Sequence, residues 1–397
     1  MGNTVAPENS GIGSDARASI SERLKAQAYG LGFDLAGIAA LGVPDTKPQF
    51  DAWLAAGNAG NMTYLHDVGA DLRRDARAPH PGATHALVVA MNYGGHEPSG
   101  PVARYARGDD YHEVLRERLR ELHRWLERET AQPINARPYV DSGPVLERDL
   151  AQRAGLGWFG KNTCLISPKD GSFLFLASLF VEYPLQPDVP FEADRCGSCT
   201  RCIDACPTGA LTSPRVLDAN LCISYLTIEL RDTIPEHLRA PINDLVYGCD
   251  ICQEVCPYNR KFSLPLTELR FAPRAVLGGM DARSLAVRLL QMSVAEYTAA
   301  FKGSPMKRAK FSGLKRNAAV VLGNVGSAAD VPALIAALRD EAPLVRSHVA
   351  WALGRLGSPL AMPALREVLL EEPDGDVREE LVAALRTLEQ RSGSMSE

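Results

Sequence analysis

A chain of 397 residues, 46% hydrophobic and 23% charged, has enough apolar material for two or three ordinary globular cores, which excludes both a disordered chain and a small scaffold held by disulfides. A formal net charge of -5 excludes indiscriminate nucleic-acid binding over the whole surface, while leaving room for a local basic patch. No apolar run approaches the ~18 residues that cross a bilayer and no basic segment leads into an apolar signal core, so a cytoplasmic protein with no membrane partner is expected, its thiols kept reduced.

Residues 1–15 are rich in Gly, Asn, Ser and Pro and read as a mobile tail. From Ile20 the pattern changes: Ile20, Leu24, Ala28 and Leu31 recur at helical spacing, residues 33–41 read as a strand and 50–54 as the start of a short helix. Residues 86–93 read as a buried strand. Residues 111–128 read as a long amphipathic helix with Val114, Leu115, Leu119, Leu122, Trp125 and Leu126 on its apolar side. This alternation predicts an α/β or α+β N-terminal domain.

A strand over 136–141 ends on a carboxylate, Asp141; Gly143 and Pro144 make a turn, and 145–153 read as a helix. A carboxylate at a strand end stands where catalytic groups often do, although a lone Asp is more often a cap or an ion-pair partner. Residues 155–163 then bring three glycines, two aromatics and a lysine ahead of strands near Cys164 and Phe173. Glycines let a backbone approach a ligand closely, but turns use them too, and the stretch matches neither the P-loop nor the dinucleotide fingerprint.

Eight of the nine cysteines fall in residues 196–256. Cys196, Cys199, Cys202 and Cys206, followed by Pro207, have the bacterial ferredoxin spacing, in which three thiolates hold one [4Fe-4S] cluster and the fourth reaches across to another. Cys249, Cys252 and Cys256, followed by Pro257, repeat the run with one cysteine missing, and Cys222 lies between to supply it. The pairing that follows puts Cys196, Cys199, Cys202 and Cys256 on one cluster, and Cys206, Cys222, Cys249 and Cys252 on the other. Zinc is the competing reading, but structural zinc usually takes two cysteines from each of two knuckles. Cys164, in an apolar stretch, reads as a small core residue.

Residues 259–304 read as a connector with short helices at 282–290 and 294–301. Residues 318–327 (AAVVLGNVGS) then return as 349–358 (VAWALGRLGS), an offset of 31 residues, and a third partial copy begins at Leu381. Helix pairs at that period predict a small HEAT-like solenoid. Between Lys302 and Arg316 lie six cations and no acid. Such a run is often only a solvated face, but Lys307, Arg308, Lys310, Lys315 and Arg316 are candidates for a phosphate-binding edge.

The stretch YVDSGPVLERDLAQRAGLGWFGKNT from Tyr139, the cysteine array, LCISYLTIE from Leu221 and GCDICQEVCPYN from Gly248 together resemble the epoxyqueuosine reductase family, over roughly residues 20–390. The resemblance implies an α+β protein: a tail over 1–15, a cobalamin-binding catalytic α/β domain over 16–190 resembling that of reductive dehalogenases, a ferredoxin-like two-cluster domain over 191–262, a connector over 263–304 and tRNA-binding HEAT-like repeats over 305–390. The implied reaction is the last step of queuosine synthesis, reduction of an epoxide on a tRNA anticodon loop to the alkene. Cobalamin and two [4Fe-4S] clusters are the implied cofactors, an external low-potential donor supplies electrons, and the protein is expected to be a monomer. Asp141 is then the proton donor, with a pKa raised by burial beside the macrocycle. Gly160, Lys161, Asn162, Thr163, Ser172 and Ser224 match family positions near the cofactors. No D-x-H-x-x-G motif is present, so no strong protein ligand to cobalt is expected. Two other readings stay open: a cobalamin and iron-sulfur reductase of a small halogenated or epoxide substrate, and an electron-transfer or scaffold protein.

Overall fold

The computed structural model describes residues 14–394; of the expected tail only Ser14 and Asp15 fall within it, where they open the first helix, and the rest lies outside the described residues. The N-terminal part is built on a four-stranded sheet: β1 (Leu35–Ala40), β2 (His85–Asn92), β3 (Ala136–Tyr139) and β4 (Leu174–Val181). Their order is β1-β2-β4-β3, and every neighbouring pair is antiparallel. The domain is therefore α+β rather than doubly wound.

The alternation of β2 explains why both faces of the sheet are covered. Leu87, Val89 and Met91 point into one core with Leu24, Leu115, Leu119 and Leu122 of the helices Ser14–Gly30 and Tyr111–Thr130. The small residues Ala86 and Ala90, with Val88, point into a second core with Leu150 and Ala151 of the helix Glu147–Arg153. Close approach on that side is enforced at Gly37, where a Cβ would stand 2.1 Å from the Ala154 carbonyl. The helix Tyr111–Thr130 begins where Asp110 accepts a hydrogen bond from the His112 backbone N–H at 3.0 Å, a side-chain N-cap.

Residues 196–262 form short elements, among them the helices Arg201–Asp204, Ile223–Ile228, Ile251–Glu254 and Pro257–Phe262. At the C-terminal end the helices Lys310–Val325, Pro343–Leu356 and Gly375–Ser394 stack in sequence, with Val331–Ala337 and Met362–Glu371 between them. The repeat has a packing cause. Gly323 and Gly354, at equivalent places in the two copies, each let the next helix in: a Cβ would meet the Trp351 ring at 2.4 Å and the Ala384 Cα at 2.8 Å. The expected connector is not free. Leu285, Leu289, Tyr297 and Phe301 share one core with Leu314, Val349 and Leu381.

Candidate functional site

Asp141 stands just past β3, off the edge of the sheet, and the strand stops two residues earlier because Asp141 takes a left-handed φ of 54°. Such a conformation is costly for a residue with a Cβ and persists only where the surroundings enforce it. Here Glu147 Oε1 accepts the Asp141 backbone N–H at 2.8 Å, and the Asp141 carboxylate accepts the Tyr111 hydroxyl at 2.7 Å. His112 Nε2 lies 3.7 Å from the same oxygen, Oδ2, while His112 Nδ1 is 2.7 Å from Asp110 Oδ1. A carboxylate thus orients an imidazole toward a second carboxylate.

Expected to be buried and raised in pKa, Asp141 is neither: 64% of its side chain is accessible. Enough protein surrounds the recess for burial to push its pKa upward, yet the His112 imidazole 3.7 Å away and the hydrogen bond from Tyr111 outweigh that and hold it below the usual carboxylate range. The neighbouring Glu147 goes the other way, pushed up by burial and by the charge of Asp141. His112 is pulled down by burial, but its bonds to Asp110 and Asp141 prevail and raise it to about 9. At neutral pH the site therefore holds an ionised Asp141 beside a protonated imidazole. Tyr111, His112 and Glu147 were not singled out as site residues from sequence, and nothing local in the sequence distinguishes them from cap, core and surface residues.

Among the expected ligands, Cys202 lies within electrostatic reach of Cys196 and Cys256, and Cys256 of Cys196 and Cys199. Cys249 feels Cys222 and Cys206, and Cys252 feels Cys249 and Cys222. Cys164 stands between the two sets, within reach of Cys252 on one side and of Cys256 and Cys202 on the other. Among the described residues no three His, Cys, Asp or Glu side chains close around one point; a cubane does not ask for that, since its four thiolates occupy separate corners. Burial pushes the Cys249 thiol up to about 12 and that of Cys164, outside the expected ligand set, to about 11, whereas at Cys206 burial is outweighed by hydrogen bonds from Thr208 and the nearby backbone, which lower it. Trp158 Nε1 donates to Cys196 Sγ at 3.3 Å.

The glycine-rich wall divides. Lys161 sends its ammonium to the carbonyls of Gly197 and Cys199, at 2.6 and 3.0 Å, inside the cysteine loop. Buried Asn162 accepts the Cys164 N–H at 3.2 Å and lies 3.4 Å from the Cys252 carbonyl. Gly160 accepts the N–H of Thr163, which holds a φ of 67°. Ser172 is clamped between Gln253 and Asn259 at 2.9 Å from each, and Ser224 bonds the Cys222 thiol. Lys161, Asn162 and Ser172 join the N-terminal domain to the cysteine segment.

The basic edge is corrected in part. Arg316 is fully buried, at 0% exposure, and cannot meet a phosphate. It donates to the carbonyls of Leu226, Leu230 and Asp232 at 2.5 to 2.9 Å, while Asn317 donates to those of Thr227 and Val246. Together they cap the C-terminal end of the helix Ile223–Ile228, where the dipole favours a cation. Lys315 is largely covered and paired with Asp340 at 2.8 Å. Arg308 is half exposed but held by Glu229 through two nitrogens. Lys307 and Lys310 are exposed, with no ion-pair partner among the described residues.

The family model described as epoxyqueuosine reductase QueG, DUF1730 matches residues 73–142. A 4Fe-4S double cluster binding domain matches 195–259 and HEAT repeats match 306–386. The epoxyqueuosine reductase of Xanthomonas campestris pv. campestris is 40% identical over 347 residues, covering 84% of this chain and 96% of the relative; that of Escherichia coli is 37% identical over 346 residues, covering 85% and 89%. Among solved structures, an epoxyqueuosine reductase with an epoxyqueuosine-modified tRNA-Tyr stem loop is 30% identical with a TM-score of 0.83, covering 94% of this chain and 99% of that one. The Bacillus subtilis epoxyqueuosine reductase, with an aspartate catalytic loop swung out of its active site, has the same identity and TM-score and covers 93% and 99%. The chain belongs to the epoxyqueuosine reductase family.

Proposed function

We propose that this protein reduces the epoxide of epoxyqueuosine, carried in a tRNA anticodon loop, to the alkene of queuosine. The single observation that carries the reading is an accessible, strained Asp141 with a protonated imidazole beside it, on a domain joined through Asn162 and Ser172 to a double-cluster segment. The reaction consumes two electrons and two protons: two C–O bonds break, a C=C bond forms, and the oxygen leaves as water. The eight thiols hold the two clusters, which pass single electrons inward from an external low-potential donor.

We assign the cobalamin that the family resemblance implies to the recess around Asp141, which supports the reading in that burial acts on the carboxylate while 64% of its side chain stays accessible. Gly160, Asn162, Thr163, Ser172 and Ser224 would form its wall, and the Lys161 side chain, spent on the cysteine loop, would not. When bound, cobalamin supplies a low-valent metal centre able to reduce an epoxide carbon. The protein's own residues handle the protons. Opening the ring leaves an alkoxide that needs a positioned acid. Asp141 delivers that proton and is recharged by His112, which Asp110 holds in place; a ligand over the recess excludes water and raises Asp141 toward the pKa the task needs. Lys307 and Lys310 meet the phosphates of the stem loop. No helix among the described residues is long and apolar enough to cross a membrane, and we place the protein in the cytoplasm, as a monomer.

The test is mass spectrometry of modified nucleosides from a strain deleted for the gene. Epoxyqueuosine should accumulate, cleared by the intact gene and not by Asp141→Asn. Normal queuosine in the deletion strain, with no second reductase to cover the loss, would overturn the proposal.

A further inference from the structure

Tyr64 is an exposed aromatic with an unusual setting. It sits in the single turn Thr63–Leu65 with 50% of its surface accessible, and the guanidinium of Arg308 lies 5.6 Å from the centre of its ring. Arg308 comes from the start of the helical repeats, and Glu229, which grips it, comes from the end of the helix Ile223–Ile228. The phenol also lies within reach of the charge of Asp141. Three parts of the chain therefore converge on one ring beside the catalytic recess.

The segment that carries the ring is anchored before any ligand arrives, and the Tyr64 hydroxyl donates to the Met62 sulfur at 3.2 Å. The Tyr225 hydroxyl accepts the Asn61 N–H at 2.8 Å. The Ala219 N–H donates to the Asn58 carbonyl at 2.9 Å, and Asn220 donates to that of Gly57 at 3.0 Å. On the other side Arg73 spans from the Gly69 carbonyl, at 2.8 Å, to that of Gly143 in the Asp141 loop, at 3.4 Å. Gly69 must be a glycine for this turn to close, because a Cβ there would stand 2.1 Å from the Tyr64 carbonyl. A fixed aromatic face loses little freedom on binding. An unpaired base offers a flat π-surface to such a face, and a cation beside the ring with free lysines beyond is the pattern that binds single-stranded nucleic acid by stacking.

We propose that Tyr64 is a stacking platform for an unpaired base of the anticodon loop next to the one that enters the recess, an inference that rests on the tRNA reading above. Unstacking the target nucleotide separates it from its neighbours, and Tyr64 takes the place of one of them. The flanking nucleotide is then held at the mouth of the recess while Lys307 and Lys310 hold the stem.

The probe is an anticodon stem-loop RNA with a fluorescent adenine analogue in the loop, titrated into the cluster-loaded protein. Wild type should quench the fluorophore; Tyr64→Ala should abolish the quenching and weaken binding ~5- to 150-fold, the range for loss of one base–aromatic stack. Tyr64→Phe and Tyr64→Trp should retain both properties, and a duplex of the same stem without a loop should bind all variants equally. Unchanged affinity and quenching in Tyr64→Ala would overturn the proposal, as would an equal loss in Tyr64→Phe or an equal loss on the duplex. Turnover of an epoxyqueuosine stem loop by wild type in the same preparations separates failure of the platform from failure of the enzymatic reading.

Discussion

Arg316→Ala should be a stability mutant, not a binding mutant. The guanidinium supplies the donors for two buried carbonyls, those of Leu226 and Leu230, and for that of the exposed Asp232. Leaving a buried acceptor without a donor costs about 1–3 kcal/mol, so two cost about 2–6 kcal/mol, while water can replace the donor at Asp232. Relief of the guanidinium's own desolvation, which already pushes its pKa down to about 9, and water entering the vacated space reduce the net loss to about 2–4 kcal/mol. The capped helix Ile223–Ile228 begins immediately after Cys222, so the damage should be read at the cluster. With a slope of about 2–3 kcal/mol per molar urea, the midpoint for loss of visible cluster absorbance should fall by ~0.7–2 M. An unchanged midpoint together with a raised KM for tRNA would refute the reasoning and return Arg316 to the phosphate edge.

Asp141→Asn should lower kcat by ~100- to 10,000-fold, the usual worth of a positioned acid, with cluster content unchanged by iron analysis. In wild type, kcat should be flat near neutrality and fall as pH rises through about 9, because His112, raised by Asp110 and Asp141, is then losing its proton; His112→Gln should remove that limb, and a limb that persists would assign it elsewhere. Lys307→Glu with Lys310→Glu should weaken stem-loop binding, and the log–log salt dependence should become shallower by ~0.7–0.9 for each phosphate no longer neutralised; an unaltered slope would show that neither lysine meets a phosphate. Cys256→Ser should diminish the iron–sulfur absorbance of the cluster shared with Cys196, and electron paramagnetic resonance of the reduced protein should then show one cluster signal changed more than the other.

The double-cluster segment was legible because its information is local: seven of the eight thiols lie in two short runs whose spacing is itself the signal. The same holds for the long helix Tyr111–Thr130, whose buried Val114, Leu115, Leu119, Leu122 and Leu126 stand at the helical period. Asp141 was legible as a residue but not as an acid. Its ionisation is set by Tyr111 and His112, which lie far away in sequence and are brought beside it by the packing of the sheet on that helix. The misreading of Arg316 has the same origin. A cation on a helix looks solvated until the carbonyls of another segment are placed around it, and only the docking of the repeats against residues 226–232 does that. Lys161 stood in a stretch that resembled a ligand wall, and its turn toward Gly197 depends on where the cysteine loop lies.

The exchange of Cys206 and Cys256 that the proposed ligation entails bears on how the protein is made. A nascent chain that has emerged as far as Cys206 offers three corners of one cubane and a single corner of the other. One set is complete only when Cys252 has left the ribosome and the other only when Cys256 has, and the helix behind Cys222 receives its capping side chains only when Arg316 and Asn317 follow. Iron delivery is therefore a late event in biogenesis, and a chain cut short before the repeats is a poor recipient. The same exchange makes oxidative damage communal: losing one cubane frees a cysteine in the run that holds the other, so the two centres are expected to fail in succession rather than independently.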